Sequence, residues 1–359
     1  MTNIEKLMDI IPDDNTCALV TFPVNRRYFT GFKSSDGIVV CFRNKAYFIV
    51  DFRYFEKASA VVKDCEVIEE KDNTVQLTEL FTRFKTGKVM IEAEHMTVSE
   101  LSSFKESFPR IMVDSSSFLS NKINEMRMFK TDDEIKKIQE AQNIADETYS
   151  YVLENITVGM TERDLALMID NHMKKLGAED ISFDTIALTG KNTSLPHGVP
   201  GYDKISKNSF VLMDFGAVVD GMHSDMTRTF YMGTPSEEEK DAYYTVLKAQ
   251  TEALGAAAAG MKCSDLDQVA RKIIDMGGYP GAFGHSLGHG VGYEIHEAPR
   301  VSKKSDVILK PGMVITVEPG IYLPGKFGIR IEDTIVLEDG TDNRYKNFVN
   351  SDKSLITLG

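Results

Sequence analysis

The residues able to do chemistry cluster in the second half of the chain. The stretch HSLGHGVGYEIHEAP, His285–Pro299, interleaves three histidines with glycines. It lacks the H-E-x-x-H spacing of a helical zinc site, and its glycines argue against a helix. A metal held here must draw its other ligands from elsewhere. Carboxylates supply candidates. In LMDFGAVVDGMHSDMTRTF, Asp220-Gly221 predicts a two-residue hairpin turn. A tight turn pairs Val219 with Met222, sets Asp225 opposite Gly216, and makes Asp214 its diagonal neighbour on the same face, within side-chain reach. Two such carboxylates repel unless a cation lies between them, and Gly216 is expected to leave room beside them. The plainer alternative is two surface aspartates on a hairpin. Glu318 ends the apolar run VITVE before Pro319, which enforces an extended backbone. In GIRIEDTIVLEDG, Glu332 is expected inside a second strand, sharing a face with Arg330. A buried carboxylate needs a proton, a partner or a metal. The plain alternative there is an Arg330–Glu332 pair. Four carboxylates and an imidazole without sulfur suit hard to borderline divalent ions. Two ions offset that charge better than one.

The elements that must position these groups divide the chain in two. In the first third, GIVVCFRNKAYFIVDF reads as a hairpin with Arg43-Asn44-Lys45 between its strands. DCEVIEE and KVMIEAE read as strands, QLTELFTRF and MTVSELSSFKESF as helices. An α/β domain over residues 1–124 is predicted. Residues 125–359 form the second domain. It opens on a helix with a capping box, Thr131 with Glu134, and an apolar stripe of Ile135, Ile138, Ala141 and Ala145. TERDLALMIDNHMKKLGAE, ended by Gly177, EEEKDAYYTVLKAQTEALGAAAAG and SDLDQVARKIIDMGG are further helices, with GAAAAG included. Glycine-rich β segments lie between them, and the class is α+β.

The 359 residues are 42% hydrophobic and 26% charged, as in an ordinary globular protein, and carry a net charge of −13. That sign opposes nucleic-acid binding. No apolar run reaches the length of a membrane span, and the N-terminus has no apolar stretch of signal length. A cytoplasmic, soluble protein with no membrane partner is expected. Cys17, Cys41, Cys65 and Cys263 are scattered and read as reduced structural thiols.

Five blocks, SLPHG, DFGAVVDGMHSDMTRTF, HSLGHGVGYEIHEAP, TVEPGIY and GIRIEDT, occur in the order found in the Xaa-Pro aminopeptidase and prolidase branch of the pita-bread metallopeptidases. The chain resembles that branch along its whole length. NRRYFTGFKSSDG, in the first domain, is similar to the corresponding segment of aminopeptidase P and prolidase. The resemblance implies a pita-bread catalytic domain behind a smaller creatinase-like N-terminal domain. It implies two divalent ions, Mn²⁺ before Co²⁺ or Zn²⁺. Asp214, Asp225, His289, Glu318 and Glu332 would be their ligands, Asp225 and Glu332 bridging. His197 and His296 would be catalytic without being ligands, and Glu318 would also move the proton. His285 would stand just behind the pocket, and Arg330 would orient the carboxylates. No ligand position is substituted, which separates the chain from creatinase. The glycines would let the backbone pass close to the metals. His223 points towards Asp225 by alternation but has no implied role. His95 and His172 are read as surface.

The implied activity is hydrolysis of an N-terminal Xaa-Pro bond. A proline leaving group has no N–H, so its site must be apolar and shaped. Tyr322 and Arg300 are candidates to face it. Chain length and domain layout favour an aminopeptidase over a strict dipeptidase. Methionine aminopeptidases lack an N-terminal domain of this kind. A non-catalytic binding module of the same fold would be expected to have lost ligands. The partners implied are proline-containing peptides and a second copy of the chain in a homodimer.

Overall fold

The computed structural model describes residues 1–340 and 344–359. The chain divides into two compact units, Met1–Arg127 and Met128–Gly359. The division falls at the end of the helix Phe118–Arg127, so residues 125–127 belong to the first unit.

The first unit is built on a six-stranded sheet. Its spatial order is Glu66–Glu69, Lys45–Val50, Ile38–Phe42, Thr16–Val20, Lys88–Ile91 and Met112–Asp114. The central strands are apolar on both faces, as a sheet covered on both sides requires. Leu19, Val40, Tyr47, Ile49, Val89 and Ile91 form the core with Leu77 and Phe81 of the helix Asn73–Arg83. Phe42 pairs with Lys45. The hairpin turn is therefore Arg43-Asn44 alone, and Lys45 begins the second strand. His95 is half-buried rather than a surface residue, its ring stacked on Phe22 at 3.7 Å.

The second unit sets four long helices around antiparallel sheets. Asp132–Asn155 and Glu162–Lys175 begin with capping boxes, Thr131 with Glu134 and Thr161 with Asp164. Their apolar faces pack on the strands Ser209–Phe215 and Met226–Met232. Glu237–Ala256 and Cys263–Met276 cover a second core that includes Ile315, Val317, Ile329 and Ile335. His172, also expected at the surface, is half-buried and stacks on Tyr151 at 3.9 Å.

The helix expected through GAAAAG stops at Ala256. Ala257 is buried and leaves the helical region, and the Gly260 N–H turns to the Leu309 carbonyl. A long-range backbone bond outweighs the helix propensity of the alanines. All four cysteines are free and buried, and burial raises each thiol pKa, that of Cys65 to about 12 and that of Cys263 to about 11. Among the described residues no helix is long and apolar enough to cross a membrane.

Candidate active site

Two hairpins, hydrogen-bonded to each other, carry the carboxylates of the site. The first turns at Asp220-Gly221, both at positive φ, 50° and 80°. Val219 pairs with Met222 and Phe215 with Met226, the register expected from the turn. Asp214 thus lies across from Thr227 and diagonal to Asp225. Gly216 does not leave open space. A Cβ there would lie 1.9 Å from the Ser224 carbonyl oxygen, so the glycine admits the opposite strand's backbone.

The second hairpin carries the glutamates at a break. Val317 pairs with Asp333, and Gly320 pairs with Arg330. Glu318-Pro319 faces Ile331-Glu332 in the gap between the two ladders. Glu332 is therefore not inside a strand. It sits between Phe327–Arg330 and Asp333–Leu337, which belong to different sheets. Pro319 has no N–H to give the ladder. The Glu318 N–H goes instead to the Leu287 carbonyl (2.8 Å) and the Glu332 N–H to the Thr227 carbonyl (3.1 Å). Each glutamate is thereby tied to backbone two residues from another candidate, His289 for Glu318 and Asp225 for Glu332.

His289 sits on the short strand Gly288–Gly290. A Cβ at Gly288 or Gly290 would lie 2.1 or 2.2 Å from the carbonyl oxygens of Thr316 and Ala298. These glycines let neighbouring strands close in on His289. Close packing of the sheet requires them. The His289 Nδ1 lies 3.1 Å from the Gly290 carbonyl, which can only accept. The proton therefore sits on Nδ1 and Nε2 is bare. That Nε2 is 3.5 Å from Asp225 and 3.6 Å from Glu318. Ligand atoms of Asp225, His289 and Glu332 lie within 4.8 Å of one another.

A network holds these groups from behind. Arg330 donates to Asp214 Oδ2 (2.6 Å), Thr227 Oγ1 (2.9 Å) and the Tyr322 hydroxyl (2.7 Å). Thr227 Oγ1 donates onward to Glu332 Oε2 (2.6 Å). The Arg330 partner is thus Asp214, and the plain Arg330–Glu332 pair is absent among the described residues. His285 Nδ1 faces the Ser286 carbonyl (2.8 Å), so its Nε2 accepts from the Tyr322 hydroxyl (2.9 Å). Tyr322 is spent between two partners and does not line the cavity. His197, His285, His296, Arg300 and Arg330 line it together with the four carboxylates and His289. Its volume is about 430 Å³. The His296 ring meets that of His289 edge-on at 4.3 Å. His223 does not line the cavity. Its Nδ1 is 2.8 Å from Ser182 Oγ.

Burial, then mutual repulsion, pushes the pKa of Asp225 and of Glu318 well above the carboxylate range, and that of Glu332 to about 8. Burial lowers His289 to about 4 and His285 to about 3, which keeps both imidazoles neutral. Burial also opposes the charge on Arg330, but Tyr322, Asp214, Glu318 and Glu332 raise its pKa above the ordinary value. Arg330 alone is paired with the four carboxylates, Arg300 being bonded to Ser286 at the edge, which leaves a deficit of positive charge among them. Asp214 Oδ1 is buried with no hydrogen-bond partner among the described residues. That orphaned oxygen, the bare His289 Nε2 and the missing charge fit a divalent-metal centre.

Sequence reasoning missed Thr227 and the buried Lys130–Glu297 ion pair at the cavity wall. The hairpin register alone places Thr227 opposite Asp214, so its signal was present. Lys130 carried no such signal, because it lies 167 positions from its partner.

A model of metallopeptidase family M24 matches residues 136–339, and one of the creatinase/prolidase N-terminal domain matches residues 5–129. The chain is 36% identical over 362 residues to the Xaa-Pro dipeptidase of Pyrococcus furiosus, covering 98% of this chain and 99% of that one. Among solved structures, it superposes on a Xaa-Pro dipeptidase from Bacillus anthracis with a TM-score of 0.93 at 36% identity, covering 99% of each chain. It matches an X-Pro aminopeptidase from Thermotoga maritima at 0.91 and 33%, covering 98% of this chain and 100% of that one. Fold, site and sequence agree: the chain belongs to metallopeptidase family M24, a family of divalent-metal hydrolases, and carries a creatinase/prolidase N-terminal domain.

Proposed function

We propose that the protein is a dinuclear-metal exopeptidase that hydrolyses the N-terminal Xaa-Pro bond of peptides, a Xaa-Pro aminopeptidase. The observation that carries this reading is the ligand set itself. Four carboxylates and one bare imidazole nitrogen converge on a cavity where, among the described residues, only Arg330 is ion-paired with any of the four. Asp214, Asp225, His289, Glu318 and Glu332 would hold two divalent ions, Mn²⁺ before Co²⁺ or Zn²⁺, with Asp225 and Glu332 shared between them. Such ions, when bound, supply Lewis acidity and lower the pKa of water. Glu318 takes the proton of the attacking water and passes it to the leaving nitrogen. His197 and His296, on the cavity wall, donate to the oxygen of the scissile carbonyl as negative charge develops on it. Arg330 fixes Asp214, and Tyr322 and His285 fix Arg330. Phe183, Ile186, Pro196 and Ile295 supply apolar wall suited to a prolyl ring, which offers no N–H. Arg300 stands at the edge of the cavity, its Nε bonded to Ser286 Oγ (2.9 Å), where it can meet a substrate carboxylate.

A strict Xaa-Pro dipeptidase is the second reading, favoured by the names of two of the relatives above. The test incubates metal-stripped protein, with and without Mn²⁺, with Arg-Pro-Pro, Ala-Pro and Met-Ala-Ser. Release of arginine from the tripeptide only with Mn²⁺ supports the aminopeptidase. Cleavage confined to Ala-Pro establishes the dipeptidase. Silence on all three with Mn²⁺, Co²⁺ and Zn²⁺ overturns both. The reading includes a homodimer, expected to sediment at twice the mass of the chain. A monomer at micromolar concentration contradicts that part.

A further inference from the structure

A second cleft adjoins the catalytic cavity. Its volume is about 820 Å³, and it shares His285, Ser286 and Arg300 with the first. The strand Glu297–Val301 carries Arg300 to the shared edge and runs into a turn at Ser302–Ser305. The turn is closed by the Ser305 N–H on the Ser302 carbonyl (2.9 Å), and the Ser264 N–H pins it through the Ser305 carbonyl (3.1 Å). Lys303 and Lys304 occupy its corner, both exposed and both lining the cleft. Neither makes an ion pair within 4 Å among the described residues. Of the two arginines on the wall, Arg300 is bonded to Ser286, and Arg271 is turned inward on Asp267 and on the Phe283 and His285 carbonyls. Asp275 is the remaining acid on the wall, and it accepts from the Gly281 N–H. In a chain of net charge −13, this cleft is lined with an excess of positive charge.

We infer that this cleft receives the part of the substrate downstream of the scissile Xaa-Pro bond, and that Lys303 and Lys304 favour peptides with acidic residues or the terminal carboxylate there. The inference rests on the Xaa-Pro reading. A dipeptide ends where Arg300 stands, and a longer chain must continue past it. The shared wall directs that continuation over Ser286 and Arg300 towards the lysine turn. The chemical class of substrate is then a proline-second peptide of three or more residues, acidic on its leaving side. The positively charged turn repels a basic tail.

The test compares kcat/KM of the manganese-loaded enzyme on Ala-Pro, Ala-Pro-Ala-Glu and Ala-Pro-Ala-Lys. The glutamate tail is expected to exceed the lysine tail by about fivefold at low salt, the scale of solvent-screened charge pairs. The ratio should fall towards one in about 1 M salt, where the screening length is about 3 Å. The double variant K303E/K304E should reverse the ratio, and the neutral pair K303A/K304A should bring it near one. The ratio is internally normalised, so any loss of folded protein cancels. A wild-type ratio of one, unmoved by either variant, overturns the subsite and leaves the Xaa-Pro reading standing. Cleavage of Ala-Pro alone also overturns it. Failure to cleave any of the three overturns the Xaa-Pro reading, and the subsite with it.

Discussion

Thr227 touches both halves of the site, accepting from Arg330 and donating to Glu332. Its position follows from counting along a hairpin whose turn, Asp220-Gly221, is legible in the sequence. The four carboxylates were legible because a carboxylate among apolar neighbours needs an explanation, whereas His289 was singled out among the histidines only by the family resemblance. Arg330 was legible as a residue but not in its bond, because its partner Asp214 lies 116 positions away on the other hairpin. Tyr322 was taken to face the substrate, yet its hydroxyl is held between Arg330 and His285. Tyr322→Phe removes that bridge without altering a ligand candidate. It should cost about ten- to hundredfold in activity or metal affinity, the usual weight of groups that orient ligands. A variant equal to wild type in both kcat and metal content contradicts the bridge. A pH effect follows from the carboxylates. The pKa of Glu332 is raised to about 8, with those of Asp225 and Glu318 raised too, so the metal-free folded state binds more protons than the unfolded one. The stability these groups contribute is present below the ordinary carboxylate pKa and is lost as pH rises towards about 8. Melting of metal-free protein should therefore fall between pH 5 and pH 8.5, and the gain from added Mn²⁺ should be larger at pH 8.5. A gain larger at pH 5 contradicts the assignment.

At the scale of elements, the break in the second hairpin was the feature the sequence hid. GIRIEDTIVL reads as one strand by alternation, but its ladder changes partner at Glu332. Period-two patterning reports which residues alternate, not where a sheet ends. Asp333, the first residue after the break, anchors the new ladder. It takes Arg228 (2.8 Å), Lys353 (2.6 Å) and Asn347 (2.8 Å), and both Asp333 and Arg228 are fully buried. Asp333→Ala strands the Arg228 guanidinium in the interior. The expected cost is about 3–5 kcal/mol, the penalty for half of a buried pair. Urea unfolding of the metal-free protein measures it. A cost below about 1 kcal/mol, the weight of a solvent-exposed pair, would contradict that anchoring role.

At the scale of the molecule, the two-part organisation and the α+β catalytic unit were readable from the shift in pattern near residue 125. Helix ends with capping boxes, such as Thr131 with Glu134, were the most legible boundaries, because their signal lies within four residues. GAAAAG was the least legible, because a bond from Gly260 to Leu309 decides it. The site depends on both hairpins at once, and neither alone collects enough ligands for two ions. The proposed function requires a pair of metals held where the two hairpins meet. Crystals grown with Mn²⁺ and measured at its absorption edge test this most directly. Two anomalous peaks about 3.5–4 Å apart are expected, both in contact with Asp225 and Glu332, one beside His289 and the other beside Asp214. A single peak, or two peaks that do not share Asp225 and Glu332, would contradict it.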